Sequence, residues 1–315
     1  MSRYREADVG KVKTVSIRDR KNKVQAAQNA RPLQPGSSFC AFLDGLPRIL
    51  AGQDLHELAD GIAAAVRSRK PVLLMMGAHV VKVGLSPLVV DLMEGGILSG
   101  IALNGAGAVH DVEMAYFGGT SEDVAESLKN GRFGMVKETS DLINRAVQVG
   151  SEARLGFGES IGKWMSENPP PFHRNSILGQ AYRLGIPATV HVAVGTDIVH
   201  QHPTADGSAI GDTSLRDFRI FTHLVSEIGG GVVLLFGSSV VLPEVFLKAL
   251  TVARNIRGSV NGFVTANFDM VRHYRPRVNV VERPTQEGGK GYHFVGHHEI
   301  MMPLLALAVK EKLGG

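Results

Sequence analysis

Ile97-Leu98-Ser99-Gly100-Ile101-Ala102-Leu103-Asn104-Gly105-Ala106-Gly107-Ala108-Val109-His110-Asp111 passes from an apolar run into a turn of small residues. Residues 97–103 carry no charge. They read as a strand buried on both faces, as a parallel sheet with helices on each side requires. The turn after them lets a ligand approach backbone N–H groups closely. The same pattern recurs on either side. Val72-Leu73-Leu74-Met75-Met76 is followed by Gly77-Ala78-His79, and Val232-Val233-Leu234-Leu235-Phe236 by Gly237-Ser238-Ser239. Residues 186–194 lead into Gly195-Thr196-Asp197, and residues 262–268 form a fifth apolar run. Between these runs the apolar spacing is helical, as in Leu55, Leu58, Ile62 and Val66 behind a capping Asp54. A last helix is expected over residues 303–312. Strands alternating with helices predict an α/β fold, a doubly wound and mostly parallel sheet with helices on both faces.

At 315 residues the chain is long enough for one large α/β domain. Aromatic residues are 6% of it while glycines number 37, which suits tight strand-to-helix turns better than a stacking platform for nucleic acid. Net charge is +4, unevenly spread. Residues 1–35 hold nine Lys and Arg against three acids, so the remainder is slightly acidic. Residues 1–35 are therefore expected to be a basic arm, set off by Pro32-Leu33-Gln34-Pro35-Gly36, with residues 36–315 as the body. Neither nucleic acid nor a membrane is an expected partner. The single Cys40 fits a reducing compartment, and its apolar neighbours predict a buried, inert thiol. No apolar run is long enough to span a bilayer and the N-terminus lacks a signal-type apolar segment, so a cytoplasmic location is expected.

The chemistry is expected around residues 191–212, which place His200, His202, Asp206, Ser208 and Asp212 among Gly207 and Gly211, just past a strand end. Open α/β sheets bind ligands at that end. Asn104, Asp111 and Asp197 also follow strands, and Asp111 or Asp197 is placed to accept ribose hydroxyls. Gly77, Gly105, Ala106, Gly107, Gly237 and Ser238 are placed to bring backbone N–H groups to a diphosphate. His79 and His110 add imidazoles at strand-end turns.

With these residues in view, the chain resembles the deoxyhypusine synthase family. Leu103-Asn104-Gly105-Ala106-Gly107-Ala108-Val109 is similar to the family's strand ending in Thr-Ala-Gly-Gly-Val. Asp206-Gly207-Ser208-Ala209-Ile210-Gly211-Asp212 is similar to its Asp-Gly-Ser-Leu-Gly-Asp. Leu235-Phe236-Gly237-Ser238-Ser239-Val240-Val241 is similar to its Leu-Gly-Gly-Gly-Val-Val, and Pro303-Leu304-Leu305 to its Pro-Leu-Leu. The resemblance covers residues 36–315. It implies a Rossmann-like domain, NAD as cofactor, and a homotetramer with sites at subunit interfaces. Asp212 matches the second Asp of that motif, and Asp197 and Asp206 compete for the place of the first.

The other half of the family's site is rebuilt. Its imine-forming lysine lies in a Ser-Trp-Gly-Lys segment, where this chain reads Val278-Asn279-Val280-Val281-Glu282-Arg283-Pro284-Thr285. Its Lys-His-His is replaced by Leu242-Pro243-Glu244. Histidines stand out instead. His200, His202 and His297, with Asp212, are the expected catalytic groups, because imidazole suits acid–base work near neutral pH. The leading expectation is an NAD-dependent enzyme of deoxyhypusine synthase type acting on a polyamine-like or other small amine or alcohol. Oxidation of a C–N bond would precede aminoalkyl transfer to an unidentified acceptor. A second reading is a metal-dependent hydrolase, with His200 and His202 side by side on an extended segment and joined by His297 or His298 and Glu299. The two clusters lie far apart in the chain, so no metal is expected. A third is a non-catalytic NAD-sensing subunit. Lys290, among Gly288, Gly289 and Gly291, is a displaced candidate for the missing lysine.

Overall fold

The computed structural model describes residues 2–314 and divides into two units, Met1–Gln53 and Asp54–Gly315, the division falling inside one helix. In the first unit, short 3-10 turns at Val9–Lys11, Ile17–Asp19 and Ala26–Gln28 precede helix α1 (Phe39–Gly45). Ser38 caps α1 by accepting the Ala41 N–H at 3.2 Å. Tyr4, Val9, Val12, Val15, Ile17 and Val24 all stand exposed. Cys40 is exposed too, contrary to the expectation of a buried thiol. The run around it is helical and not extended, so its apolar residues cannot all face one way.

The second unit is a six-stranded sheet among the described residues. Its strands are β1 (Val72–Met76), β2 (Gly100–Asn104), β3 (Ala188–His191), β4 (Val232–Phe236), β5 (Val264–Asp269) and β6 (Lys290–Val295). Their order is β3-β2-β1-β4-β5-β6, and every neighbouring pair is parallel. This is the doubly wound order in which the chain reverses direction between β1 and β4. The helices are α2 (Leu50–Arg67), α3 (His79–Lys82), α4 (Ser86–Glu94), α5 (Gly105–Phe117), α6 (Val124–Lys129), α7 (Lys137–Glu152), α8 (Phe157–Glu167), α9 (Ile177–Leu184), α10 (Gly207–Ser226), α11 (Val241–Arg257) and α12 (His298–Gly314). A π-helix, Pro276–Glu282, lies between β5 and β6.

Both sheet faces are covered, which is why the central strands β1 and β4 are apolar throughout rather than alternating. On one face Leu73, Met75, Val233 and Leu235 pack with Phe221 and Val225 of α10 and Phe246 and Leu250 of α11. On the other, Leu74, Leu234 and Phe236 face Ile62 of α2 and Met302, Leu305 and Val309 of α12. Phe236, Phe268 and Phe294 are in register across β4, β5 and β6. Their rings stack at 4.3 and 4.6 Å between centroids, nearly parallel at 5° and 11°.

Two elements differ from expectation. β6 is hidden in the sequence because Gly288, Gly289 and Gly291 crowd its start and make it read as loop. The last helix begins at His298, before Pro303, which lies inside it and removes the N–H that would otherwise bond the Glu299 carbonyl. The edge strand β3 is closed by Asp217 of α10, whose carboxylate accepts the N–H of Val190 at 2.6 Å and of Gly158 at 2.9 Å. Open strand edges invite intermolecular pairing, and this contact removes one. The ring stack should carry much of the stability of the β4–β6 half. Phe268→Ala, in the middle of the stack, is expected to cost about 3–5 kcal/mol in urea unfolding, and Phe294→Ala, on the outermost strand, distinctly less.

Candidate active site at the carboxyl end of the sheet

The glycine turns expected to approach a ligand meet where the strand order reverses. Gly77 follows β1 and Gly237 follows β4, its neighbour in the sheet. A Cβ on Gly77 would come within 2.9 Å of the Ser238 N, so only glycine allows this apposition. Gly237 and Ser238 are both left-handed, with φ of +70° and +65°. A serine held there is strained, and such strain collects at functional sites. His79 opens α3 directly beyond Gly77, and Lys82 closes it.

A cavity of about 230 Å³ adjoins α3 and the start of α5. It is lined by Lys82, Ala106, His110, Glu113, Thr196 and Asp197, among others. Asn104 caps α5 by accepting the Gly107 N–H at 2.9 Å. Asp197 lies against the same helix start: a Cβ on Gly105 would fall 1.9 Å from its Oδ2. The carboxylate thus occupies the positive end of α5. Burial pushes its pKa up to about 6, against the opposing effects of the Ala106 N–H and the His110 charge. Deeper in the cavity, Thr120 Oγ1 donates to Glu113 and lies 2.5 Å from His110 Nδ1, while Thr139 donates to Glu113 at 3.1 Å. Burial works against the charge of Glu113, but the bonds from His110, Thr120 and Thr139 outweigh it and hold this acid below the usual range.

The expected site residues separate into three groups. Gly77, Asn104, Gly105, Ala106, Gly107, Asp197, Gly237 and Ser238 surround the β1–β4 reversal or the adjoining cavity. Asp111 is fully buried instead: its carboxylate accepts from Ser176 Oγ at 2.7 Å and from the N–H groups of Ile177 and Leu178 at 2.7 and 3.1 Å. Burial pushes it up to about 6 against those three donors, and it fastens α9 to α5. The third group lies on the surface. Asp206 caps α10 through the Ser208 and Ala209 N–H groups. Asp212 pairs with Arg216 at 3.1 Å and accepts from Ser151. His297 is largely exposed and lies 3.8 Å from Glu299.

His200 and His202 do not share an extended segment. Ile198–Gln201 is a 3-10 turn started by Asp197. His200 Nδ1 accepts the N–H groups of Gly195 and Asp197 at 3.1 and 3.2 Å, whereas His202 contacts Thr204 and Asp141. Among the described residues no three of His, Cys, Asp and Glu come together as a metal site would need. The hydrolase set of His200, His202, His297 and Glu299 is therefore not assembled. Lys290 opens β6 at the amino end of the parallel sheet, with its Nζ bonded to Glu57, at the end opposite the glycine turns. Glu113 and His298 are the site residues that the strand-end pattern passed over. Glu113 sits two turns into a helix, and His298 looked equivalent to His297 in sequence.

No family model matches the chain. A deoxyhypusine synthase-like protein from Chlorobaculum parvum is 22% identical over 209 residues, 59% of this chain and 59% of that protein. The chain resembles the deoxyhypusine synthase-like proteins. It spans about three fifths of the length of this curated relative. Among solved structures, a proposed deoxyhypusine synthase from Entamoeba histolytica superposes with a TM-score of 0.50 at 10% identity, over 90% of this chain and 96% of the other. AgrE, in its ternary complex with ornithine and NAD+, superposes with a TM-score of 0.54 at 12% identity, over 84% of this chain and 34% of AgrE. At such identities these likenesses show the α/β fold. No helix among the described residues is long and apolar enough to cross a membrane.

Asp111 is a structural carboxylate in this arrangement. Asp111→Ala strips three donors of their acceptor and should lower unfolding free energy by about 3 kcal/mol, measured by chemical denaturation. Asp206→Ala, at an exposed cap, should cost distinctly less in the same measurement.

Proposed function

We propose that this chain is an NAD-dependent enzyme that oxidises the C–N or C–OH carbon of a small amine or alcohol, as a deoxyhypusine synthase-like aminoalkyl transferase whose acceptor is open. The observation that carries this reading is the meeting of Gly77 with Gly237 and Ser238 at the reversal of strand order. That crevice is where doubly wound sheets take dinucleotides. The residues present fit the cofactor: glycines clear the backbone for close approach, Ser238 holds a left-handed turn, and the cavity beside α5 offers Asp197 as a hydroxyl acceptor. AgrE, a protein of similar fold, is known with ornithine and NAD+, which supports an amine substrate.

NAD, when bound, supplies a hydride acceptor. The chain's own residues would do the rest. The N–H groups of Gly77 and Gly237 are spent on the Phe236 and Phe268 carbonyls, so those of residues 78–79 and 238–239 would hold the diphosphate, Asp197 would accept ribose hydroxyls, and the histidines near the crevice would handle protons. The reading also takes residues 1–35 as a basic arm on a body of residues 36–315. It makes the assembly a homotetramer with sites between subunits, in the cytoplasm, using no metal. The row of exposed apolar residues from Tyr4 to Val24 supports an arm that packs on another copy. A mass four times the monomer's in light scattering is the expected result, and a monomer at all concentrations would discard the assembly.

Two measurements test the cofactor. Native mass spectrometry of purified protein followed by denaturation should release NAD at about one per subunit; protein that neither carries nor binds NAD+ would end this reading. The second is pH dependence. Asp197 carries its charge above about pH 6, and its charged form is the stronger acceptor for ribose hydroxyls. NAD+ affinity, measured by calorimetry, should therefore weaken as pH falls through 6, and Asp197→Asn should flatten that profile and weaken binding about tenfold at pH 7.5. Stability has the opposite sign. An acid with a raised folded pKa destabilises the fold as pH rises from its unfolded value of 3.8 to about 6, so Asp197→Asn should remove a loss of stability over that window.

A further inference from the structure

His298 is buried, at 4% exposure, where α12 begins beside the carboxyl end of β5. Its Nε2 lies 3.2 Å from the carbonyl oxygen of Phe268. A carbonyl only accepts, so Nε2 carries the proton and Nδ1 holds a free lone pair. That Nδ1 is buried and has no hydrogen-bond partner. Buried polar atoms are almost always paired, and an exception calls for a ligand, a water or a catalytic role. The ring lies at the β1–β4 reversal. It packs edge-on against Phe236 at 5.7 Å and against His79 at 5.5 Å. A Cβ on Gly237 would reach within 3.0 Å of its Cε1, so the glycine turn lies directly on the imidazole. His79, on α3, is exposed.

We propose that His298, through Nδ1, is the proton acceptor for an ammonium substrate oxidised in this crevice, with the exposed His79 beside it leading the proton toward solvent. The proposal rests on the NAD reading above. An N–H bond of the substrate ammonium breaks and its proton passes to Nδ1. The freed nitrogen lone pair then forms the C=N bond as the adjacent C–H bond breaks, its electron pair reducing the cofactor. The products are an iminium ion, reduced cofactor and a protonated His298. The Nε2–Phe268 bond keeps the imidazole in the tautomer that can accept. Burial lowers the pKa of His298, and the Phe268 carbonyl opposes that shift. The charged groups that bear on the ring are His79 from α3, which also lowers it, and Asp269 at the end of β5 and Glu299 on α12, which steady the imidazolium once formed.

The test uses full-length protein and two readouts. In imidazole ¹⁵N spectra at neutral pH, His298 should show a protonated Nε2 and a bare Nδ1; a protonated Nδ1 overturns the proposal. Protein loaded with NAD+ is then mixed with spermidine, putrescine or L-ornithine, and reduced nicotinamide is followed by absorbance. His298→Gln keeps an N–H for the Phe268 carbonyl but has no base. It should melt like wild type, bind NAD+ within about twofold, and slow reduction on the order of 100-fold with loss of the acid limb of the pH profile. Reduction by His298→Gln at the wild-type rate and with the wild-type profile overturns the proposal. If wild type binds NAD+ but none of the three amines reduces it, a His298 Nδ1 resonance unmoved by NAD+ plus amine overturns it as well. Failure of wild type to bind NAD+ sinks the cofactor reading instead, and is read separately by calorimetry.

Discussion

The contact between Gly77 and the Gly237–Ser238 backbone is the constraint on which the rest of this molecule depends. Two parallel strands, β1 and β4, run side by side, and their exits must turn away from each other to reach α3 on one side and α11 on the other. A side chain at 77 would strike the Ser238 N. Glycine there, and a left-handed pair at 237 and 238, let the two turns diverge without separating the strands. The divergence opens the crevice. The same turn seats Gly237 on the ring of His298, so the strand exits, the crevice and the buried imidazole share one small volume.

Around that point the carboxylates divide by environment. Asp111 and Asp217 are enclosed: Asp111 gives both oxygens to donors at the start of α9, tying it to α5, and Asp217 gives Oδ2 to the N–H groups of Gly158 and Val190, closing the edge of β3. Asp206 and Asp212 face water beside their own partners. Asp197 is intermediate: covered enough for its charge to be costly, yet placed on the lining of a cavity. An acid so held is sensitive to whatever enters the cavity, whereas the fully enclosed acids cannot exchange partners without opening the fold. Residue type alone does not separate these five.

Much of the fold was legible because parallel strands covered on both faces must be apolar end to end, and their exits need glycine. Five of the six strands and the glycine turns announce themselves in that way. β6 does not, since three glycines surround its start and its alternating Tyr292 and Phe294 gain meaning only from the stack with Phe268. The site was legible in part. Asn104, Gly105 and Asp197 could be placed at strand ends, and they do gather at one helix start. The histidines are not legible in this way: their i, i+2 spacing suits an extended segment, and a capped 3-10 turn sends 200 and 202 to different partners.

The sequence by itself determined the alternation of buried strand, glycine turn and helix, since burial on both faces and left-handed turns restrict residue type locally. Only the tertiary structure decided the strand order, and with it which glycine turns meet, because pairing β1 with β4 joins segments more than 150 residues apart. It also decided between His297 and His298. Adjacent residues at a helix start differ by about 100° in direction. That rotation leaves one imidazole in water beside Glu299 and buries the other against Phe236, with a nitrogen unpaired.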